Sequence, residues 1–177
     1  MRKRNPVAEA IRTRRSIRQF RNAAVSDDTV NEILEAGSWA PSGKNNQPWK
    51  FAVIRDADLK GALATMTHYH ATVRQASVCI AVFLDTSRSY DRTKDVQAVG
   101  ACLQNMLLTI HSMGLGGVWL GEILKNKEKV ANLLGADTGL ELMAVIATGR
   151  PGEKAMHFLA GEGPVRKRLE DLVFLRK

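Results

Sequence analysis

Apolar and polar residues follow two different periods along this chain, which predicts helices interleaved with strands. Residues 78–84 are continuously apolar over the length of a strand, which indicates a central strand buried on both faces. Residues 95–113 repeat apolar side chains at helical spacing with few charges, so we expect a long, largely buried helix closed by Gly114. The pattern predicts an α+β protein with layered helices and strands.

Shorter patterns predict the remaining elements. Ser26, followed by two aspartates, marks the start of a helix that Gly37 is expected to end, and Asn126 is expected to cap another. We expect further helices at residues 6–13, 58–66 and 127–134, and further strands at residues 50–54, 118–120 and 142–148. The sequence contains no repeat, linker or shift in composition, so we expect a single domain over residues 1–177.

Composition excludes several classes of protein. An apolar content of 45% and a charged content of 25% are typical of a folded, soluble chain. Cys79 and Cys102 lie in apolar surroundings without CxxC spacing, which favours buried thiols in a reducing compartment. No run reaches the roughly 18 apolar residues of a membrane span, and no apolar core follows the basic N-terminus. We therefore expect a cytoplasmic protein with no membrane partner.

The positive charge is concentrated at one end of the chain. The formal net charge is +8, and residues 1–21 alone hold eight Arg or Lys against one Glu. Within residues 14–20 (RRSIRQF), Arg14, Arg15 and Arg18 surround Ser16, and two apolar residues interleave with them. Such anchors suit an anion site that holds its arginines still, although a solvated helix end remains the alternative. Base-stacking aromatic residues are lacking, so we do not expect a nucleic-acid partner.

Two other motifs fail on spacing. The stretch 37–45 imitates a phosphate-binding loop, but five residues separate its glycines and Asn45 replaces the Ser or Thr that binds metal. His68 and His70 would suit a metal on a strand, but no third ligand is nearby. We expect no metal site.

A rigid polar loop strengthens the interpretation of the arginines. Residues 40–49 (APSGKNNQPW) combine two prolines with many hydrogen-bonding groups and lead into a predicted strand. Taken in order, RRSIRQF, this loop and the glycine-rich residues 114–121 (GLGGVWLG) after the long helix resemble the FMN-dependent nitroreductase family. The resemblance spans residues 7 to about 175.

The resemblance implies which residues contact FMN. Arg18 matches the basic residue near flavin N1 and the C2 carbonyl, where a fixed cation stabilises the charge of the reduced ring. The positions that match the other contacts comprise the ribityl and phosphate contacts Arg14, Arg15 and Ser16, the loop residues Pro41, Ser42, Gly43 and Asn45, the strand end Leu120 and Gly121 near N5, and the phosphate-closing pair Arg166 and Arg168. In this family the loop reaches the flavin from the other subunit.

The resemblance also implies a fold and an activity. We expect a central mixed β-sheet flanked by helices, a long buried central helix, and a domain-swapped homodimer with two FMN sites at the subunit interface. NAD(P)H would reduce FMN, which would pass the electrons to a nitroaromatic, quinone or similar acceptor by a ping-pong mechanism. A specialist for free flavin, an enone or a halogenated phenol is an alternative, as is a non-catalytic flavin-binding redox sensor.

Substrate access rests on fewer residues. Tyr69 falls near the position where family members place a side chain by the flavin or the substrate, and a core or surface role is the alternative. Trp119 and Glu122 flank the strand end with a bulky ring and a carboxylate. Small residues at Gly116, Gly117 and Gly121 favour access to N5.

Overall fold

The computed structural model describes residues 5–153, 155 and 165–177. In this part of the chain, four strands form one sheet in the order β1-β2-β4-β3. The strands are β1 (Trp49–Ile54), β2 (Val78–Asp85), β3 (Gly116–Leu120) and β4 (Leu140–Gly149). β1, β3 and β4 each begin at least one residue before the start that the sequence predicted.

Every neighbouring pair of strands in this sheet is antiparallel, which corrects the expectation of a mixed sheet. β2 and β3 run in the same direction, but β4 lies between them and pairs with both. A parallel bridge joins Ser16, which lies outside the four strands, to Gly117 of β3. The long crossover from β2 to β3 therefore joins parallel strands that are not neighbours.

Helices cover both faces of the sheet. They are α1 (Pro6–Thr13), α2 (Asp27–Ser38), α3 (Ala57–Ala64), α4 (His70–Gln75), α5 (Arg92–Ser112) and α6 (Lys127–Leu133). The sequence pattern did not predict α4, which is shorter than two turns. Asn126 stands at the N-cap position of α6 as expected, but its side chain makes no capping hydrogen bond, because its amide donates to the carbonyl of Met66 at 2.8 Å instead.

Successive side chains of β2 point to opposite faces of the sheet, so the buried core consists of two clusters. Val78, Ile80, Val82 and Leu84 pack with α2 and α5 on one face. Cys79, Ala81 and Phe83 pack with residues of α3, α4 and α6 on the other. All eight residues of β2 are buried, which confirms the expected central strand. Both cysteines are free and buried, and burial raises the pKa of each thiol to about 12.

Helix α5 is the long buried helix that the sequence predicted. It is 21 residues long, and Gly114 follows it with a φ of 68°. Gly37 does not end α2 as expected, because the helix continues to Ser38. A Cβ at Gly37 would lie 2.8 Å from Cγ of Met106 on α5, so this glycine allows α2 to pack closely against α5.

Apolar side chains remain exposed at both ends of the described chain. Val7 and Ile11 project from α1, which buries no residue of its own. The C-terminal segment exposes a further apolar set: Val165, Leu169, Leu172, Val173, Phe174 and Leu175. Within the described residues, no helix has both the length and the apolar character needed to cross a bilayer.

Candidate functional site

The arginine-rich segment after α1 is pinned to the sheet by its apolar residues. Ile17 is 2% exposed and Phe20 is 7% exposed. The backbone N–H of Ile17 donates to the carbonyl of Gly117 at 3.0 Å, and Phe20 forms a bridge with Pro151. This anchoring fixes the backbone between α1 and Phe20, as the sequence predicted. The alternative interpretation, in which this segment is a solvated helix end, therefore does not apply.

Positive charge accumulates at the start of the segment. The Nε atoms of Arg14 and Arg15 are buried and have no hydrogen-bond partner among the described residues. Burial, followed by the charges of Arg166 and Arg15, lowers the pKa of Arg14. The structure thus brings an arginine from the C-terminal segment to the N-terminal pair. Arg168 instead forms an ion pair with Glu170 at 3.1 Å.

His111 also belongs to this cluster. The hydroxyl of Thr13 donates to the carbonyl of Glu9, so it accepts the 2.8 Å hydrogen bond from Nε2 of His111. Burial and the nearby charges of Arg14 and Arg15 lower the pKa of His111, which keeps the imidazole neutral. His111 lies in the last turn of α5, and the sequence gave no sign of the arginines beside it.

Arg18 and Tyr69 are in contact with each other. Cζ of Arg18 is 5.4 Å from the centroid of the Tyr69 ring, which is the geometry of a cation–π contact. The Thr72 hydroxyl, on α4, donates to the Arg18 carbonyl at 3.0 Å. The structure therefore joins the residue expected near the flavin ring to the one expected near the substrate.

Glu122 ties the loop before α4 to the end of β3. Its Oε2 accepts from the hydroxyl of Thr67 at 2.7 Å and from the backbone N–H of His68 at 3.1 Å. Lys125 forms an ion pair with the other oxygen. Hydrogen bonds from Lys125 and Thr67 lower the pKa of Glu122 to about 2. Glu122 is thus a tether, which the sequence did not indicate.

The glycines at β3 divide into two kinds. A Cβ at Gly116 would lie 2.7 Å from Cγ2 of Ile17, and one at Gly117 would lie 2.9 Å from Cγ2 of Ile110. These two glycines therefore serve internal packing against Ile17 and Ile110. Gly121 differs, because a Cβ there would meet only Nε1 of Trp119 at 3.8 Å.

A hydrogen bond within the polar loop and its backbone conformation keep the loop rigid. The Ser42 hydroxyl accepts from the backbone N–H of Gln47 at 3.0 Å. Lys44, Asn45 and Gln47 have positive φ values of 54°, 53° and 45°. A Cβ at Gly43 would lie 1.8 Å from the Tyr90 hydroxyl, so a side chain there would require the partly exposed Tyr90 ring to move.

The loop and the arginines lie at opposite ends of α5. Asn46 of the loop bonds to Asp95 in the first turn of α5, whereas His111 in the last turn lies beside Arg14 and Arg15. His111 lies sixteen positions after Asp95 on the helix, which is about 24 Å at the helical rise. One chain therefore does not bring its own loop to its own arginines.

His68 and His70 do not lie on a strand. His70 begins α4, so the strand geometry that would suit two ligands is absent at this point. Among the described residues, no group of three or more His, Cys, Asp or Glu is placed to hold a metal ion.

A family model with the description "Nitroreductase family" matches residues 11–73 and 63–150. The chain belongs to the nitroreductase family. Its nitroreductase-like α+β fold matches a crystal structure from Desulfovibrio desulfuricans of a protein assigned as a nitroreductase, in complex with FMN. The two chains are 45% identical, the TM-score is 0.90, and 99% of each chain is covered.

Two more distant nitroreductase relatives have similar descriptions. A Methanothermobacter thermautotrophicus protein assigned as an NADH dehydrogenase/NAD(P)H nitroreductase is 34% identical over 149 residues, covering 83% of this chain and 78% of the relative. The structure of the NADPH:FMN oxidoreductase from Vibrio harveyi, complexed with NAD⁺, is 25% identical with a TM-score of 0.79. That match covers 95% of this chain and 82% of the other.

Proposed function

We propose that this chain is an NAD(P)H-dependent FMN oxidoreductase. The observation that carries the proposal is the pair of buried, unpartnered Nε atoms on Arg14 and Arg15 beside the charge of Arg166. Buried donors of this kind need acceptors, and a phosphate monoester offers several charged oxygens. The FMN in the 45%-identical relative supports FMN over other phosphate compounds.

Bound FMN would supply the redox chemistry, because its N5 accepts a hydride from NAD(P)H and the ring then delivers two electrons to a second substrate in a ping-pong cycle. The protein supplies binding and electrostatics. Arg14, Arg15 and Ser16 would hold the phosphate and ribityl chain, with Arg166 and Arg168 closing on the phosphate. Each charge-assisted hydrogen bond contributes about 1.5–3 kcal/mol, so a few suffice for micromolar affinity.

Arg18 would stabilise negative charge on the pyrimidine edge of the flavin. Its carbonyl is fixed by Thr72, and its guanidinium is fixed against the ring of Tyr69. A cation that is already positioned costs no reorganisation when charge develops. The backbone at Leu120 and Gly121 would face N5, and the open space at Gly121 supports this placement.

We further propose a homodimer in which each FMN site combines two chains. Pro41, Ser42, Gly43 and Asn45 would reach the flavin held by the other chain, since α5 separates them from the arginines of their own. The exposed apolar side chains of α1 and of the C-terminal segment support a partner surface, because such residues are rarely left in contact with water in a group.

The electron acceptor would be a flat, conjugated molecule such as a nitroaromatic or a quinone. Tyr69 and Trp119 are both partly exposed, and the Trp119 ring borders Gly121. Aromatic faces of this kind stack on planar substrates. A specialist for free flavin is a second candidate, supported by the name of the Vibrio harveyi relative.

Spectroscopy tests the proposal directly. The purified protein supplied with FMN should bind it, and its flavin absorbance should bleach anaerobically when NADH or NADPH is added. A chain that binds no FMN would overturn the proposal. A chain that binds FMN and never bleaches with either donor would instead support a redox sensor without catalysis. Adding a quinone or a nitroaromatic to the bleached protein should restore the absorbance.

A further inference from the structure

A second concave site lies where β1 ends and β2 begins. It has a volume of about 440 Å³ and is lined by Arg21, Arg55, Lys60 and Arg74, together with small residues such as Ala76 and Ser77. None of its lining residues is among the expected FMN contacts. We call it the basic pocket.

Two of the cations are held in place by backbone carbonyls. Nζ of Lys60 donates to the carbonyl of Ala76 at 2.6 Å. Nη1 of Arg55 donates to the carbonyl of Val25 at 2.7 Å, and its Nη2 pairs with Asp27 at 2.8 Å. A Lys60 ammonium has three donors, so two remain for a ligand. These contacts fix part of a cationic rim; Asp27 compensates the charge of Arg55, whereas Lys60 keeps its charge.

The other two cations are uncommitted. The side chains of Arg21 and Arg74 make no hydrogen bond or ion pair with any residue in the described part of the chain. No acidic residue lines the pocket among these residues, and Asp27, outside the lining, pairs with Arg55. Three positive charges therefore converge on one cavity without compensation. Such focusing of one sign of charge in a concave site attracts anions.

We propose that the basic pocket binds a small molecule bearing a diphosphate group. The volume lies within the 300–1,000 Å³ that small-molecule sites occupy. Two forked guanidinium groups and an ammonium match the several oxygens of adjoining phosphates, because each fork donates two parallel hydrogen bonds. The diphosphate is either free or carried by a nucleotide, and the experiment distinguishes these sources. The proposal does not rest on FMN binding at the other site.

Isothermal titration with pyrophosphate tests the pocket. The wild-type protein is first saturated with FMN, so that the Arg14 cluster is filled, and ionic strength is matched with NaCl. We expect saturable binding that weakens at least about tenfold in the double variant Arg21→Gln/Arg74→Gln, the effect of losing charge-assisted hydrogen bonds. Both positions are exposed, so the fold should be kept. The single variant Arg74→Gln should show an intermediate loss.

The control removes the same charge elsewhere. Lys50→Gln/Lys129→Gln lowers the net charge equally at two exposed positions outside the pocket, and it should bind pyrophosphate like the wild type. Equal weakening in this control, or no saturable binding by the wild type, would overturn the proposal. Without FMN, the Arg14→Gln chain should retain pyrophosphate binding, which separates this pocket from the flavin site. Tighter binding of ADP than of pyrophosphate would identify a nucleotide as the source; equal affinity would identify the free diphosphate.

Discussion

The side-chain amide of Asn46 donates a 2.7 Å hydrogen bond to the buried carboxylate of Asp95, and this contact joins the polar loop to the first turn of α5. The same carboxylate accepts from the Ser89 hydroxyl at 2.7 Å and from the backbone of Tyr90 at 3.2 Å. Burial alone would raise the pKa of Asp95, but the hydrogen bonds from Ser89 and Asn46 outweigh it and hold the pKa below its ordinary value. Asp95 is thus a charged anchor for the loop.

Replacing Asp95→Asn should therefore loosen the loop and destabilise the protein. The new amide would place a donor against the amide of Asn46, and leaving buried donors unpaired costs about 1–3 kcal/mol. We therefore expect the free energy of unfolding, measured with urea, to fall by about 1–3 kcal/mol. We also expect FMN binding to weaken. The control is Asp91→Asn, which changes a partly exposed cap of the same helix and should not affect FMN affinity. Unchanged stability and affinity in Asp95→Asn would contradict the anchoring role.

Substituting alanine at three glycines separates packing from access. Gly116→Ala should lower the free energy of unfolding by about 1–3 kcal/mol, because its Cβ would overlap Ile17. Gly121→Ala has room for its methyl group, so stability should hold while turnover with bulky acceptors falls. Gly61→Ala, inside α3 with nothing within 4 Å, should stabilise by roughly 0.5–1 kcal/mol. Urea titrations of the three variants give the comparison, and equal effects at Gly116 and Gly61 would refute it.

Arg18→Ala should slow flavin reduction by NAD(P)H more than it weakens FMN binding. The physical reason is that a cation near N1 favours the reduced ring, whereas the phosphate contacts carry affinity. Stopped-flow bleaching and FMN titration measure the two effects separately. Arg18→Lys keeps the charge and should recover part of the rate. A larger loss of affinity than of rate would remove the proposed electrostatic role.

Acid should release the tether at Glu122. Its pKa is lowered to about 2 in the folded protein, whereas an unfolded glutamate titrates near 4.3. The folded state therefore gains stability from this group above about pH 4.3, and loses it as the pH falls toward 2. Urea unfolding between pH 3 and pH 7 should show a shallower pH dependence in Glu122→Gln than in the wild type. Glu128→Gln, on the exposed surface of α6, should retain the wild-type slope.

Mixing two defective chains tests whether each site is shared. Arg14→Gln removes a phosphate contact, and Asn45→Ala removes a loop contact. If each site combines two chains, a heterodimer of these variants has one doubly damaged site and one intact site. Unfolding and refolding the mixture should then restore tight FMN binding at up to one flavin per heterodimer, while either variant alone binds weakly. If verified heterodimers recover no tight FMN binding, Arg14 and Asn45 of one chain serve the same FMN site, and the shared site is contradicted.

The sequence predicted those features that depend on local pattern. The apolar run of β2, the spacing of α5 and the anchors Ile17 and Phe20 each carry their own signal, and the structure confirms them. Helix α4 was missed because six residues are too few to establish a helical period. Gly37 was misjudged because its role is set by Met106, which lies on another helix.

The parts of the site that the sequence missed are contacts across long separations. Glu122 reaches Thr67, and Arg166 approaches Arg14, across 55 and 152 positions of the chain respectively. Neither pair forms a sequence motif, because its two residues become neighbours only when the chain has folded. The family resemblance supplied Arg166 as a candidate, whereas nothing in the pattern pointed to the tether or to His111.

The length of α5 has a consequence for how the protein keeps its cofactor. Because about 24 Å of helix separates the loop from the arginines, the proposed dimer distributes each binding site over two molecules, and a lone chain offers only half of each. Retention of flavin then depends on protein concentration. Dilution below the dimer dissociation constant should release FMN, and excess FMN should in turn hold the two chains together.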